Sequence, residues 1–382
     1  MGKVYLDSAA TTQVRKEVII KMQEALENCY GNPSSTHSFG RSAKTAIEKA
    51  RKTIAKYLNA QPSEIIFTSG GTEADNMILR SSVRDLGVRT LITSKIEHHA
   101  ILHTVEELEK EYGVAVRYVD LDGFGNPDVG HLGELLKTDE SKKLVSLMHV
   151  NNEIGNILDV DAVVGLCREH AALFHSDTVQ SIGHFAWDVQ RTKVDFLSAA
   201  AHKFHGPKGV GFAYIRKNSG LGPMILGGGQ ERGFRAGTEP FHNIVGLEEA
   251  FVAAYDHLDA EREYVTGLKR YFIENIMKSL PGVSFNGLSG DLDRSTYTLV
   301  NVSLPFDPEK AMMLLFHLDI KGIACSAGSA CQSGSNLGSH VLAEVLTEEN
   351  FKKPSLRFSF SRYNTTEELD YVIQVLKEYA TT

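Results

Sequence analysis

Five stretches of this sequence carry residue types that could do chemistry. The first is Ser198-Ala199-Ala200-Ala201-His202-Lys203, followed by Phe204-His205-Gly206-Pro207-Lys208. Lysines are rarely buried, and Lys203 directly follows an apolar run and a block of small residues. A lysine at a strand's carboxyl end, flanked by histidines, is placed for Schiff-base chemistry. The alternative is a solvated turn residue, which is how Lys208 reads. The second stretch is Leu173-Phe174-His175-Ser176-Asp177-Thr178-Val179-Gln180. A carboxylate ending a buried strand needs a cationic partner or dense hydrogen bonding. A protonated pyridine nitrogen would supply the cation; the alternative is an Asp that caps the next helix.

The third stretch, Phe67-Thr68-Ser69-Gly70-Gly71-Thr72-Glu73, takes an apolar strand through two glycines into a helix. Backbone N–H groups, the helix start and the Thr72 hydroxyl together make an anion cradle. The pattern is neither a Walker A motif nor GxGxxG. It could also be a tight turn capped by Thr72. The fourth, Ser94-Lys95-Ile96-Glu97-His98-His99-Ala100, puts histidine at another strand–helix junction. His98 there can stack on a flat ring or move a proton, or be a polar cap only. The fifth runs from Gly322 to Ser335 and is almost all Gly, Ala and Ser around Cys325 and Cys331. That composition predicts a flexible loop, and a thiol there predicts reactivity rather than packing. An incidental Cys in a linker is the plainer alternative. Cys325 closes an apolar run and reads as packing, Cys167 lies on the apolar stripe of a helix and reads as core, and Cys29 receives no role.

These stretches need a frame to bring them together. Short apolar runs at Glu64–Phe67, Thr90–Thr93, Ala115–Val119, Leu144–Met148, Leu173–His175, Val194–Leu197 and Val210–Ile215 read as strands. Most are separated by helix-length segments, such as Ser42–Leu58 with apolar residues at helical spacing. Buried runs divided by helices predict a mainly parallel sheet covered on both faces. Ligands of such sheets bind at the carboxyl ends of the strands. After Gly220 the texture changes. A long helical stretch at 242–280 is followed by shorter elements: strands at Tyr297–Leu304, Ile320–Ala324 and Leu356–Phe360, helices at Glu309–Leu318 and Ser339–Leu346, and a last helix from about Glu367. Thr365 and Glu368 have the spacing of a capping box for that helix. The expectation is an α/β domain over 13–257 and a smaller α+β domain made of 1–12 and 258–382, the latter carrying the Cys loop at 322–338.

Composition narrows the function. The chain has 382 residues, 42% apolar and 23% charged, with a formal net charge of −8. This is ordinary globular composition, and the acidic balance without basic runs disfavours nucleic acid. Four cysteines without CxxC spacing exclude a disulfide scaffold and argue against structural zinc. The start has no apolar signal-peptide core, and no apolar run approaches the roughly 18 residues of a spanning helix. No membrane association and a cytoplasmic location are expected.

Taken in order along the chain, the five motifs resemble the cysteine desulfurases of the NifS/IscS kind. These form a class V aminotransferase branch of the fold type I pyridoxal-phosphate enzymes. The similarity extends from Tyr5-Leu6-Asp7-Ser8-Ala9-Ala10-Thr11-Thr12 through Gly31-Asn32-Pro33-Ser34-Ser35, Met148-His149-Val150-Asn151-Asn152-Glu153-Ile154-Gly155 and Arg232-Gly233-Phe234-Arg235-Ala236-Gly237-Thr238 to Leu356-Arg357-Phe358-Ser359. The resemblance implies an aspartate aminotransferase-like fold. It implies pyridoxal 5'-phosphate as a Schiff base on Lys203, with Asp177 on the pyridine nitrogen and Gln180 on the ring hydroxyl. His98 would stack on the ring as acid/base, and Gly71, Thr72 and His202 would hold the phosphate. Thr238 would reach the phosphate of a partner subunit, which implies a homodimer. Asn152 and Arg357 would face the substrate, the Arg fork suiting a carboxylate, and no metal is implied. L-cysteine would become L-alanine, with a persulfide on Cys331 for delivery to a sulfur-acceptor protein such as an iron–sulfur scaffold. Selenocysteine lyase and aminotransferase are the alternative activities. Gly-Ser-Ala-Cys around Cys331 is similar to the family's long-loop group. Two features depart from the pattern. Ala200 stands where many members have a phosphate-binding Ser, and the sequence stops soon after its last helix, where housekeeping members carry a scaffold-docking tail.

Overall fold

The architecture is described from a computed structural model covering residues 2–327 and 338–381, together with the backbone but not the side chains of 308–312. Cys331 and its immediate neighbours lie outside the described residues. The strands in chain order are β1 (Val4–Tyr5), β2 (Ile65–Thr68), β3 (Thr90–Thr93), β4 (Ala115–Tyr118), β5 (Lys143–Ser146), β6 (Leu173–Asp177), β7 (Phe196–Ala200), β8 (Gly211–Ile215), β9 (Ser284–Phe285), β10 (Leu299–Ser303), β11 (Ile323–Ala324) and β12 (Ser355–Ser359). Strands β2 to β8 form one seven-stranded sheet in the order β2-β8-β7-β6-β5-β3-β4. Neighbours from β7 to β4 pair in parallel, whereas β8 runs antiparallel to both β7 and β2.

Successive strand residues point to opposite faces, and here both faces are buried. Ile65, Phe67, Ile92, Val145, Leu197 and Phe212 enter one apolar core with Ile54, Leu247 and Phe251. Their neighbours Ile66, Leu91, Leu144, Phe196 and Ala213 enter a second core with Ile78, Ile101 and Val105. This explains why the strands read as unbroken apolar runs rather than alternating ones. Helices cover the sheet as their stripes require. In the helix Ser38–Tyr57, Ala43, Ile47, Ala50 and Ile54 are buried. The helices Gly71–Leu86 and His99–Tyr112 both end on a left-handed glycine, Gly87 and Gly113, the commonest way to stop a helix.

A separate core gathers Leu268, Phe272, Val300, Val302, Phe358, Val372 and Leu376 around the antiparallel sheet β12-β10-β9. The long helical stretch is two helices, Phe241–Asp256 and Leu258–Ser279, separated at His257. Thr365 and Glu368 cap the last helix reciprocally: Thr365 N–H donates to Glu368 Oε2 at 3.2 Å, and Glu368 N–H to Thr365 Oγ1 at 3.4 Å. The N-terminal segment ties the two sheets together. β1 pairs with β11, Asp7 bridges to Ser359, and Thr12 N–H then donates to His202 O at 2.8 Å. Among the described residues, no helix is long and apolar enough to cross a membrane.

Candidate active site

A cavity of about 200 Å³ opens at the carboxyl ends of the parallel strands. Its walls hold Gly71, Thr72, His98, Asn152, Asp177, Gln180, Ala200, His202, Lys203 and Arg357. Residues from six separate motifs therefore line one space. The reversed strand β8 contributes to this by bringing Gly211 against the first glycine turn. A Cβ on Gly211 would sit 2.1 Å from Ala199 O and 2.9 Å from Gly70 Cα.

Strand β7 delivers the lysine. It ends at Ala200, and a single 3₁₀ turn, Ala201–Lys203, follows. The Lys203 Nζ donates to the carbonyls of Ala9 and Ala10 at 2.6 and 2.9 Å. Behind it, His184 Nε2 donates to Lys203 O at 3.0 Å. These two carbonyls hold the amine at the cavity. His202 carries the same turn: its carbonyl accepts from Thr12, and its Nδ1 lies 3.2 Å from Thr11 Oγ1. Burial, then the charges of Lys203 and Lys208, pushes the His202 imidazole down to about 4.

Asp177 is the last residue of β6 and is buried, with Oδ1 accepting from Val179 N–H at 2.8 Å. Burial, then repulsion from Asp75, pushes its carboxyl up to about 7. Behind it lies a cluster that the sequence motifs did not reveal. Asp75 and His175 are fully buried, with His175 Nε2 3.5 Å from Asp75 Oδ1 and Nδ1 2.9 Å from Ser146 Oγ. Neither of the two facing atoms makes a hydrogen bond among the described residues. Burial pushes Asp75 up to about 7 and His175 down to about 4. Both move toward neutrality, so desolvation outweighs their attraction. Glu97, also buried, accepts from Met148 N–H at 2.9 Å and is held well above the ordinary carboxylate range by burial. Burial thus favours the neutral form of these acids, and a cation placed against Asp177 would favour its ionised form.

His98 caps the helix His99–Tyr112, its Nδ1 accepting from Ala100 N–H at 3.1 Å. The neutral ring therefore carries its proton on Nε2. Burial, then the Lys203 charge, pushes it down to about 4. His98 thus caps the helix and also lines the cavity.

At the opposite end, Gly70 adopts φ +157° and ψ −172°, a region essentially closed to other residues. A Cβ on Gly71 would meet Val179 Cγ2 at 2.5 Å. The helix begins at Gly71, and its first intrahelical bond runs from Ala74 N–H to Gly70 O. The N–H groups of Gly71, Thr72 and Glu73 are thus the unpaired first-turn donors. They open onto a groove lined by Ala10, Thr11, His202, Lys208 and Gly209. Arg357, on β12, completes the wall; Nη1 donates to Asn152 O at 2.7 Å and Nη2 to Asp7 Oδ1 at 3.0 Å. Gln180 Nε2 donates to Ala9 O at 2.9 Å.

This donor set fits pyridoxal phosphate: an amine for the carbonyl, a buried carboxylate for a ring N–H, and backbone donors for a phosphate. Ala200 lines the cavity without a hydroxyl. Thr238 does not line the cavity. It lies in a neighbouring hollow with Phe67, Ser69, Gly209, Glu231 and Arg235. Cys331 lies outside the described residues. Of the other thiols, Cys167 is buried in the main core. Cys325 packs on the smaller core with its thiol pushed up to about 12 by burial. Neither is poised to react. The residues not anticipated are Asp7, Ala9, Ala10, Asp75, His175 and Glu97. The signal for the first three was Leu6-Asp7-Ser8-Ala9-Ala10 itself, a polar and small-residue run directly after an apolar pair.

Comparison with known proteins agrees from end to end. The family model described as aminotransferase class-V matches residues 4–372. A cysteine desulfurase IscS of Dictyoglomus turgidum is 43% identical over 379 residues, covering 98% of this chain and 94% of that protein. Among solved structures, a NifS-like protein superimposes with a TM-score of 0.90 at 36% identity, covering 99% of each chain. A structure described as SspA in complex with cysteine has a TM-score of 0.82 at 33% identity, covering 95% of this chain and 100% of that one.

Proposed function

The chain belongs to the class-V aminotransferase family, in its IscS/NifS-like cysteine desulfurase branch, and from that premise we propose that it converts L-cysteine to L-alanine and keeps the sulfur as a persulfide on Cys331. The coarser activity, pyridoxal-phosphate-dependent sulfur transfer from cysteine, comes with the branch. The observation that carries the finer reading is the single cavity in which Lys203, Asp177, His98, Arg357 and the Gly71–Thr72 turn meet.

When bound, pyridoxal phosphate supplies an electron sink for the substrate α-carbon. The chain's own residues do the rest. Arg357 and Asn152 receive the amino acid's carboxylate. Lys203 would hold the cofactor through its carbonyl carbon and, once the substrate's amine has taken its place there, its freed amine would move the α-proton. Asp177, ionised, holds the proton on the ring nitrogen, and Gln180 faces the ring hydroxyl. His98, neutral at physiological pH, would stack on the ring and could take a proton at Nδ1 only by giving up its cap. Gly71, Thr72 and His202 hold the phosphate. The Cys331 thiolate attacks the substrate sulfur: an S–S bond forms as the C–S bond breaks, and the carbon takes a proton to become alanine. Residues 13–257 form the cofactor domain, and 1–12 with 258–382 the domain that carries the Cys331 segment. Thr238, absent from its own cavity, serves the phosphate of a partner subunit in a cytoplasmic homodimer. The persulfide passes to a sulfur-acceptor protein such as an iron–sulfur scaffold. The relative described as SspA in complex with cysteine supports the choice of substrate.

Cys331→Ala tests the reading. The variant should retain the cofactor's absorbance and lose sulfide and alanine production from cysteine, and no sulfur should be trapped on the protein by a thiol-alkylating probe. Undiminished sulfide production would overturn the role of Cys331.

A further inference from the structure

Arg357 is fully buried, and a buried guanidinium without a counter-charge costs several kcal/mol. Its counter-charge is Asp7, whose Oδ1 accepts from Arg357 Nη2 at 3.0 Å. The same oxygen accepts from Ser326 Oγ at 2.8 Å. Ser326 and Arg357 also exchange both backbone bonds, Arg357 N–H to Ser326 O at 2.7 Å and Ser326 N–H to Arg357 O at 3.2 Å. Asp7 is itself fixed: it bridges to Ser359, and its carbonyl accepts from Ala10 and Thr11 N–H at 3.0 and 3.3 Å. Of the five guanidinium N–H donors, one goes to Asn152 O and one to Asp7. The Nε–H has no partner among the described residues. Arg357 is thus a buried arginine that lines the cavity with donors left uncommitted among the described residues, a combination that suits an anionic ligand.

We propose that Asp7 is the positioning residue for substrate recognition. Its carboxylate fixes the guanidinium plane of Arg357 for the substrate's α-carboxylate, and through Ser326 it clips that plane to the strand edge that leads toward Cys331. Asp7 neutralises Arg357 while the carboxylate is absent and leaves three N–H donors for it when it arrives. The inference rests on the reading of Arg357 as the carboxylate anchor.

The test uses the cofactor-loaded protein and L-alanine, which can bind but has no sulfur to lose. Asp7→Asn should raise the L-alanine concentration that half-saturates the cofactor's absorbance change, and the KM for cysteine, each about tenfold. That is the loss expected for one hydrogen bond to a charged group. It should change kcat by less than about threefold and leave cofactor affinity unmoved. A merely structural role would shift cofactor affinity and kcat together with KM, and that pattern overturns the proposal, as does an unmoved half-saturation. Should Asp7→Asn fail to fold, Ser326→Ala removes the other donor on Asp7 and should raise the same half-saturation about threefold; no change there overturns the clip. Arg357→Ala separates the two levels. Normal L-alanine binding in that variant removes the anchor reading itself, whereas lost binding there with an unaffected Asp7→Asn removes only the role of Asp7.

Discussion

The cavity is built by opposite means at its two ends. The glycine-turn end uses backbone N–H groups at a helix start, with Thr72 exposed to solvent beside them. Nothing charged is buried there. The sealed end uses Asp177 with Asp75, His175 and Glu97 behind it, all buried. Backbone donors at a helix terminus are unpaired in any case, so the first end costs the fold little. Burial favours the neutral form of the acids at the second end, so that end works through charge only when a cation stabilises the ionised form of Asp177. On the proposed function, the first end should tolerate the loss of one contact to its anion, and the second should depend on one charge.

The sharpest way to break that contrast is Asp177→Asn. Removing one member of a buried charge pair costs about 3–5 kcal/mol, so turnover should fall by at least about 100-fold. Steady-state alanine formation by the cofactor-loaded protein measures it. A loss below about fivefold would mean that the sealed end does not work through charge.

Thr72→Val should do much less. It removes one hydroxyl and leaves the helix-start donors, so cofactor dissociation should rise about fivefold, as for one hydrogen bond, with kcat unchanged. Equilibrium titration of cofactor-free protein with pyridoxal phosphate reads this. A hundredfold weakening would place the phosphate contact in side chains and erase the distinction.

A third test is a pH dependence of stability. The folded pKa of Asp75 is raised to about 7 by burial, against about 3.9 for an unperturbed Asp. Its contribution to stability is therefore full below about pH 4 and is lost as the pH rises through 7. Asparagine does not titrate. In cofactor-free protein, the melting temperature of Asp75→Asn minus that of the wild type should rise between pH 5 and 8. The buried histidines, depressed to about 4, act in the opposite direction in both proteins; His98 and His202 do so equally, whereas His175 faces Asp75 and is coupled to the substitution. A flat difference would show that Asp75 is not held protonated.

Much of this was legible in the sequence, and the legible parts share a cause. Lys203, Asp177, His98 and the Gly70–Thr72 turn each stand where a buried apolar run stops. The chain must place such residues at the carboxyl edge of the sheet whatever the remaining packing does. The strands themselves were readable because burial on both faces demands unbroken apolar runs. The domain boundary is expected at 257/258, but the helical stretch 242–280 reads as continuous there, whereas it is two helices separated at His257. The reversal of β8 was not legible either, since a doubly buried strand reads alike in both directions.

The sequence by itself determined the family, the strand ends and the residues that stand on them, because those depend on local order along the chain. Only the tertiary structure decided what holds those residues. Lys203 is held by carbonyls 194 and 193 positions away, and Arg357 by a carboxylate 350 positions away. Asp75 meets His175 only because the helix Gly71–Leu86 packs over β6 and β7. These partners are ordinary residues locally: an alanine carbonyl, an aspartate near the start, an aspartate inside a helix. Their roles come from distance closed by folding, and no spacing along the chain encodes that.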